Sequence, residues 1–226
     1  MTLDFTGPDG AFAFTPTRCI VGGWTGRDAA KIAHHIEELS AIGVAPPSTT
    51  PLYYRAPVVQ LTQGDRIEAL SDETGGEAEP VILDDGERLW LTLGSDHTDR
   101  GLEATSIAHS KAIGAKILAR EAWPLEPLAG WLAAIRLTAE MSTDGDTWAS
   151  YQDERLAAML PLGEIIAGAP NASEGRLGAG TVLYCGTVPA LSGIQPTPFF
   201  RARLIDEEGG REIGLSYSVA ALPVIA

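Results

Sequence analysis

The sequence predicts a mainly β fold with a few short helices, of α+β class, and three observations carry that expectation. Glycine (25) and proline (15) are abundant in 226 residues, which favours turns and short strands over long helices. Apolar residues make up 45% and charged residues 20%, the balance of a globular chain with a buried core. Turn pairs such as Gly64-Asp65, Asp85-Gly86 and Gly145-Asp146 punctuate the apolar runs. No Pro/Ser linker divides the chain, so residues 1–226 are expected to form one domain.

Residues 1–22 alternate in polarity and close on Arg18-Cys19-Ile20-Val21-Gly22, which reads as one or two strands. A helix is expected over 25–42, because Ala29, Ile32, Ala33, Ile36, Leu39 and Ile42 recur at three- and four-residue steps. Asp28 stands near its start, Gly43 is its expected C-cap, and Pro46-Pro47-Ser48 is a break. Short strands are expected over 52–54, 58–61 and 66–70. The strand expected over 77–83 turns through Asp84-Asp85-Gly86 into another over 89–94. Residues 101–113 read as helix, 131–138 as strand and 156–166 as a short helix ended by Gly168-Ala169-Pro170. An apolar strand over 181–185 precedes two final strands around residues 206–210.

Thirty acidic against 16 basic residues give a net charge of −14 and a pI near 4.6. That balance argues against nucleic acid or an anionic membrane as partner, since both select a basic face. Cys19 and Cys185 make neither a disulfide framework nor a Cys-x-x-Cys metal pair, and reduced thiols are expected. No apolar run reaches the roughly 18 residues of a membrane span. The first residues lack the basic and apolar regions of a signal peptide, so a cytoplasmic location is expected.

The chemistry centres on carboxylates. Glu77 and Glu79 lie two apart on an expected strand, so they share a face about 7 Å apart at roughly 3.3 Å per residue. Paired acids in a partly buried site repel until water or a cation intervenes, and hard oxygens suit Mg²⁺, Mn²⁺ or Ca²⁺. Asp96, after the strand over 89–93, is placed to add a third oxygen, or else to cap the following helix. Taken alone, in a chain this acidic, Glu77 and Glu79 read first as a solvated face. His34 and His35 precede Glu37 and Glu38 at i,i+3 spacing, which lets a carboxylate orient an imidazole as a general base. Lys111 reads as a surface lysine or as a cation that stabilises a developing enolate. Tyr53, Tyr54 and Arg55 precede a break and read as core packing or as pocket lining. His97, facing away from Asp96, reads as a packing residue.

In this order the pieces resemble the fumarylacetoacetate hydrolase superfamily. The matching text is Cys19-Ile20-Val21-Gly22, His34 with Glu37, Glu77-Ala78-Glu79, Asp96-His97-Thr98-Asp99-Arg100, Lys111, and Gly180 to Thr187, over roughly residues 18 to 190. The resemblance implies a mixed β-sandwich roll like the C-terminal domain of that family, in a homodimer. It implies Glu77, Glu79 and Asp96 as ligands of Mg²⁺ or Mn²⁺, and a small carboxylic acid as substrate. The implied enzyme is a metal-dependent C–C hydrolase or decarboxylase of a 2-oxo or 1,3-diketo acid such as an acylpyruvate. His34, Glu37 and Lys111 would be catalytic, and Arg100, Thr187 and Tyr53 would bind substrate.

Four positions depart from the family pattern. Gly23-Trp24-Thr25-Gly26-Arg27-Asp28 stands where Arg-Asn-Tyr-x-x-His is usual, so the family histidine falls on Asp28 without a gap and on His34 with one. Asp99 replaces an alanine, Ala112-Ile113-Gly114 follows Lys111, and Val188 separates Thr187 from Pro189. Spacing does not choose between His34/Glu37 and His35/Glu38. The departures keep a non-catalytic ligand-binding or interaction module on the same scaffold as the competing function.

Overall fold

The computed structural model describes residues 1–41, 45–126, 130–223 and 225, apart from the side chains at 35, 38, 39 and 41. Among these residues it is mostly β with four short α-helices, as the composition predicts.

The larger sheet has eight strands. Along its path run β4 (Leu52–Ala56), β3 (Arg18–Gly23), β15 (Thr181–Tyr184), β8 (Ala78–Asp84), β9 (Leu89–Asp96), β11 (Lys116–Leu118) and β5 (Leu61–Thr62). The eighth, β12 (Trp123–Pro124), pairs with β9. A second sheet orders β14 (Ala149–Arg155), β13 (Arg136–Ser142), β16 (Phe199–Asp206), β17 (Arg211–Ala221) and β6 (Arg66–Ala69). Two small pairs complete the strands: β1 (Leu3–Gly7) with β2 (Gly10–Phe14), and β7 (Thr74–Gly75) with β10 (Thr98–Asp99). The helices are α1 (Ala29–Ala41), α2 (Arg100–Thr105), α3 (Ile107–Ile113) and α4 (Leu162–Gly168).

Strand alternation sorts the larger sheet into two faces. Ile20, Ile82, Leu91, Leu93 and Leu183 pack against Leu137, Phe200, Leu204, Ile213 and Tyr217 of the second sheet. Cys19, Val21, Val81, Leu83, Val182 and Tyr184 point the other way, toward Leu3, Phe5 and Phe14 of the β1–β2 hairpin. β8 and β9, buried along their whole length, lie at the centre of this arrangement. Both cysteines are free and buried, and burial pushes the Cys19 thiol up to about 12.

Several predicted elements take a different form, each for a local reason. Residues 1–22 hold three strands, because residues 8 and 9 turn the chain and Gly10 has φ +121°. The first helix starts at Ala29: the Asp28 carboxylate caps the Ala30 and Lys31 amides at 3.0 and 3.2 Å. Thr25 and Arg27 instead hydrogen-bond the main chain at Leu160 and Ala158. Its expected end at Ile42 and Gly43 lies outside the described residues. Over 58–61 the chain forms a 3₁₀ turn at Val58–Gln60, with the Gln60 amide on the Pro57 carbonyl. The helix over 101–113 is two helices, broken at Ser106, whose hydroxyl caps α3 through the His109 amide. The strand over 131–138 opens with a 3₁₀ turn at Leu132–Ala134. The helix over 156–166 is a 3₁₀ turn, Leu156–Ala158, then α4 after Pro161. Strands β11 and β14 were not expected from the sequence. No helix among the described residues is long and apolar enough to cross a membrane.

Candidate metal centre

Glu77 and Glu79 flank the first residue of β8, and Asp96 ends β9, its antiparallel partner. The Asp96 amide donates to the Glu77 carbonyl at 3.0 Å, which closes the strand pair at this end. Pleating then throws the three side chains together. One oxygen from each carboxylate lies within 4.8 Å of the others. Asp96 is 0% and Glu79 1% exposed, while the Glu77 side chain keeps 13%, so the cluster opens to solvent on Glu77. Helix capping does not compete for Asp96, because Asp99 caps α2 by accepting the Leu102 amide at 2.8 Å.

Three cations crowd the cluster. The Lys111 ammonium, from α3, stands 2.5 Å from Asp96 Oδ2 and 3.3 Å from Glu77 Oε2. Lys116, opposite Asp96 on β11, reaches Asp96 Oδ1 at 2.9 Å and is 0% exposed. Arg100 lies 3.7 Å from Glu77 and 2.8 Å from Glu103. The Gly186 amide donates to Glu79 Oε2 at 2.8 Å.

The acidities follow from these neighbours. Burial works to raise Asp96, but Lys111 and Lys116 outweigh it and hold the carboxyl down to about 2. Burial likewise opposes Glu77, and Arg100 and Lys111 bring it below the usual carboxylate range. Glu79 goes the other way: burial, then the Asp96 charge, pushes it well above that range. Lys111 is raised, since Asp96 and Glu77 overcome its own burial.

This donor set fits a hard divalent cation. Both Asp96 oxygens are buried, and the groups that meet them are the two lysine ammoniums, at 2.5 and 2.9 Å. Burial and the Asp96 charge disfavour the ionised form of Glu79, and a dication would offset both. Counting Glu103, four carboxylates face three cations; a dication makes the set net positive and complementary to an anionic ligand.

The other predicted residues fall as follows. Thr187 Oγ1 donates to the Ala78 carbonyl at 2.8 Å, between the two glutamates. Tyr53 is turned to α4, its phenol donating to Ile165 O at 2.8 Å. His34 and Glu37 are exposed on α1, whereas Glu79 and Asp96 are buried. The alternative pair, His35 and Glu38, lies outside the described side chains. His97 is buried, with Nδ1 3.0 Å from the Tyr217 hydroxyl. Burial, then Arg100 and Lys116, pushes its pKa down to about 3, so the ring is neutral.

Sequence reasoning missed Lys116 and Gln152. Gln152, on β14, accepts the Ala78 amide at 2.9 Å and donates to Thr187 Oγ1 at 2.6 Å and to Val188 O at 2.8 Å. It ties the second sheet to the residue between the glutamates. A signal for Lys116 was present: a lysine opening the apolar run Lys116-Ile117-Leu118-Ala119 is costly to bury unless it meets an acid. Nothing in sequence spacing points to Gln152.

Comparison with solved structures gives the fold. A candidate fumarylpyruvate hydrolase from Burkholderia cenocepacia superposes with TM-score 0.66 at 19% identity, over 98% of this chain and 92% of that one. A fumarylpyruvate hydrolase from Pseudomonas aeruginosa, in complex with Mn²⁺ and pyruvate, gives 0.62 at 14%, over 98% and 97%. A 2-keto-3-deoxy-D-arabinonate dehydratase, complexed with magnesium and 2,5-dioxopentanoate, gives 0.61 at 16%, over 95% and 77%. The fold is therefore that of the fumarylacetoacetate hydrolase superfamily, on a divergent sequence. No curated protein matches the chain. The family model described as "Protein of unknown function (DUF2848)" matches residues 22–217.

Proposed function

The chain belongs to the DUF2848 family, and from that premise we propose that it is a Mg²⁺- or Mn²⁺-dependent enzyme acting on a 2-oxo or 1,3-diketo acid. The observation that carries the reading is the convergence of Glu77, Glu79 and Asp96 within 4.8 Å in a buried site rimmed by cations. The Mn²⁺–pyruvate and magnesium–dioxopentanoate complexes of the fold relatives support it.

Glu77, Glu79 and Asp96 would hold the ion, which when bound supplies a Lewis acid that polarises the 2-oxo group and accepts developing enolate charge. The protein's own groups do the rest. Gly186 orients Glu79, and Lys116 fixes Asp96. Lys111 and Arg100, beside Glu77, hold the substrate carboxylate and offset negative charge as it develops. Thr187 and Gln152 keep the strand start in place.

Two reactions share this site. Hydrolysis of a C–C bond needs water activated by a base, a role assigned to His34 with Glu37 on α1. Decarboxylation or enolisation needs none. Purified protein is to be tested with acylpyruvates and oxaloacetate under Mg²⁺ and Mn²⁺. Turnover abolished by chelator and by Glu77→Gln is expected; no turnover with either ion leaves the binding module as the surviving reading. His34→Ala separates the reactions: acylpyruvate cleavage falls at least about 100-fold if His34 is the base, while oxaloacetate decarboxylation persists. We further propose one domain, a homodimer and a cytoplasmic location.

A further inference from the structure

Among the described residues the Lys111 ammonium has two ion-pair partners, and both belong to the carboxylate cluster: Asp96 Oδ2 at 2.5 Å and Glu77 Oε2 at 3.3 Å. Its charge also acts on Glu79, the third member. One ammonium thus serves the same three side chains that would hold a divalent ion. Lys116, the other cation on Asp96, is placed differently. It is 0% exposed, comes from β11, and has an acceptor outside the cluster, the Gly114 carbonyl at 2.7 Å. Lys111 comes from α3, whose backbone is tied down without it: the neighbouring Ser110 donates through Oγ to the Asp99 carbonyl at 2.7 Å. The Lys111 side chain keeps 9% exposure, and it pairs with Glu77, the member through which the cluster opens to solvent.

We propose that Lys111 is an internal counter-ion that competes with the divalent ion for the cluster, and that it leaves Asp96 for the solvent side when the ion enters. This role rests on the metal reading above and adds an order to it: ion first, anionic ligand second. Charge, not the number of lone pairs, sets the conflict. A carboxylate has about four acceptor positions, enough for two lysines and an ion. But an ion shared by Asp96 and Glu77 would meet the ammonium that already bridges them, +2 against +1, with almost no water between to screen it. One cation must yield. Lys116 is enclosed and has a second acceptor to hold it, whereas Lys111 has no ion-pair partner outside the cluster among the described residues. Its flexible stem lets the ammonium move while α3 stays in place. Once off Asp96, the ammonium is free for a ligand carboxylate on the open side. By linkage, an anionic ligand that takes it also tightens the ion.

Mn²⁺ binding to the full chain, measured by calorimetry with no organic ligand, tests this without turnover. Lys111→Met is expected to bind Mn²⁺ at least about tenfold more tightly than the wild type, because the like charge between the carboxylates is gone. Removing any nearby cation favours Mn²⁺ to some degree, so Arg100→Gln is the control: it strips a charge 3.7 Å from Glu77 and leaves Asp96 with both lysines. Its gain is expected to stay within about threefold. Equal gains for the two variants, or weaker binding by Lys111→Met, overturn the competition and leave the metal reading intact. A second measurement uses the wild type and does not depend on the variant folding. In crystals grown with Mn²⁺, the Lys111 ammonium is expected to have left Asp96 Oδ2 while Lys116 stays on Oδ1. An ammonium still on Oδ2 beside a bound ion overturns the exchange. If neither wild type nor variant takes Mn²⁺, the metal reading falls, and the exchange with it.

Discussion

Lys116 and Asp96 face each other across β11 and β9, and the ammonium lies 2.9 Å from Asp96 Oδ1 with both side chains fully buried. Lys116 also donates to the Gly114 carbonyl at 2.7 Å. Removing one partner of such a pair strands a buried charge. Lys116→Met is therefore expected to cost about 3–5 kcal/mol, read from urea unfolding. Asp96→Asn added to it should recover part of that loss. A cost under about 1 kcal/mol, within the range of an exposed pair, would mean that water reaches Asp96.

Glu79 gives the protein a pH signature. Its folded pKa is raised above the ordinary 4.5, so the metal-free fold binds a proton there that the unfolded chain releases. The contribution is present below pH 4.5 and is lost as pH rises through the folded value. A divalent ion competes with that proton. Added Mg²⁺ or Mn²⁺ should raise Tm more at pH 8 than at pH 5.5. Glu79→Gln should erase the ion response and leave the metal-free Tm at pH 8 equal or higher. An ion response that shrinks with rising pH contradicts this assignment.

Asp96 shows the opposite sign. Its pKa falls from 3.8 to about 2 on folding, so its stability contribution is present above pH 3.8 and lost toward pH 2. Glu77 is lowered as well and adds to the same acid limb. In the metal-free protein, Asp96→Asn should flatten the dependence of unfolding free energy on pH between about 4 and 2, as measured in urea at each pH. An unaltered slope would place the acid sensitivity elsewhere, for example at Asp84, whose carboxylate takes Arg176.

The glutamate pair and Asp96 were legible because strand alternation is local: two residues of spacing set a face, and a buried run set the end of β9. Lys111 was legible by its order in the chain. Gln152 was not, since it arrives through packing of β14 across to β8, and for Lys116 the apolar run showed only that it needs an acid, while the register of β11 on β9 sets which one. The breaks at Ser106 and Pro161 were missed for a related reason. Apolar periodicity runs on through both, and only the cap or the missing amide stops the helix. The departure before α1 is likewise tertiary, with Thr25 and Arg27 bonded to residues 158–160 rather than to the helix.

Gln152→Leu isolates the tie between the sheets. It leaves the Ala78 amide unpaired and frees Thr187 from the amide that holds it. A buried unsatisfied group costs about 1–3 kcal/mol, so a loss of that size is expected in chemical denaturation. Because Ala78 lies between Glu77 and Glu79, a weaker Tm response to Mn²⁺ should accompany it. Loss of stability with a full Mn²⁺ response would separate the tie from the cluster.

The spacing of the carboxylates also depends on a residue that carries no side chain. Gly94 sits opposite Glu79 on β9 and opposite Leu118 on β11. A Cβ there would stand 2.5 Å from Tyr184 Cε1, 2.7 Å from Val81 Cγ2 and 2.9 Å from the Ile117 carbonyl. None of these yields readily: Tyr184 is pinned by its hydroxyl to Ile117 O at 2.9 Å, and Val81 is fully buried. Gly94→Ala must therefore push β9 away from its neighbours, and Asp96, two residues on, moves with it. The expected loss is about 1–3 kcal/mol, the usual cost of overpacking. Tm without metal reads that loss, and the added Mn²⁺ shift reads the geometry of the cluster. If Gly94→Ala lowers the first and leaves the second whole, strand separation at this point is not what brings Asp96 within reach of Glu79.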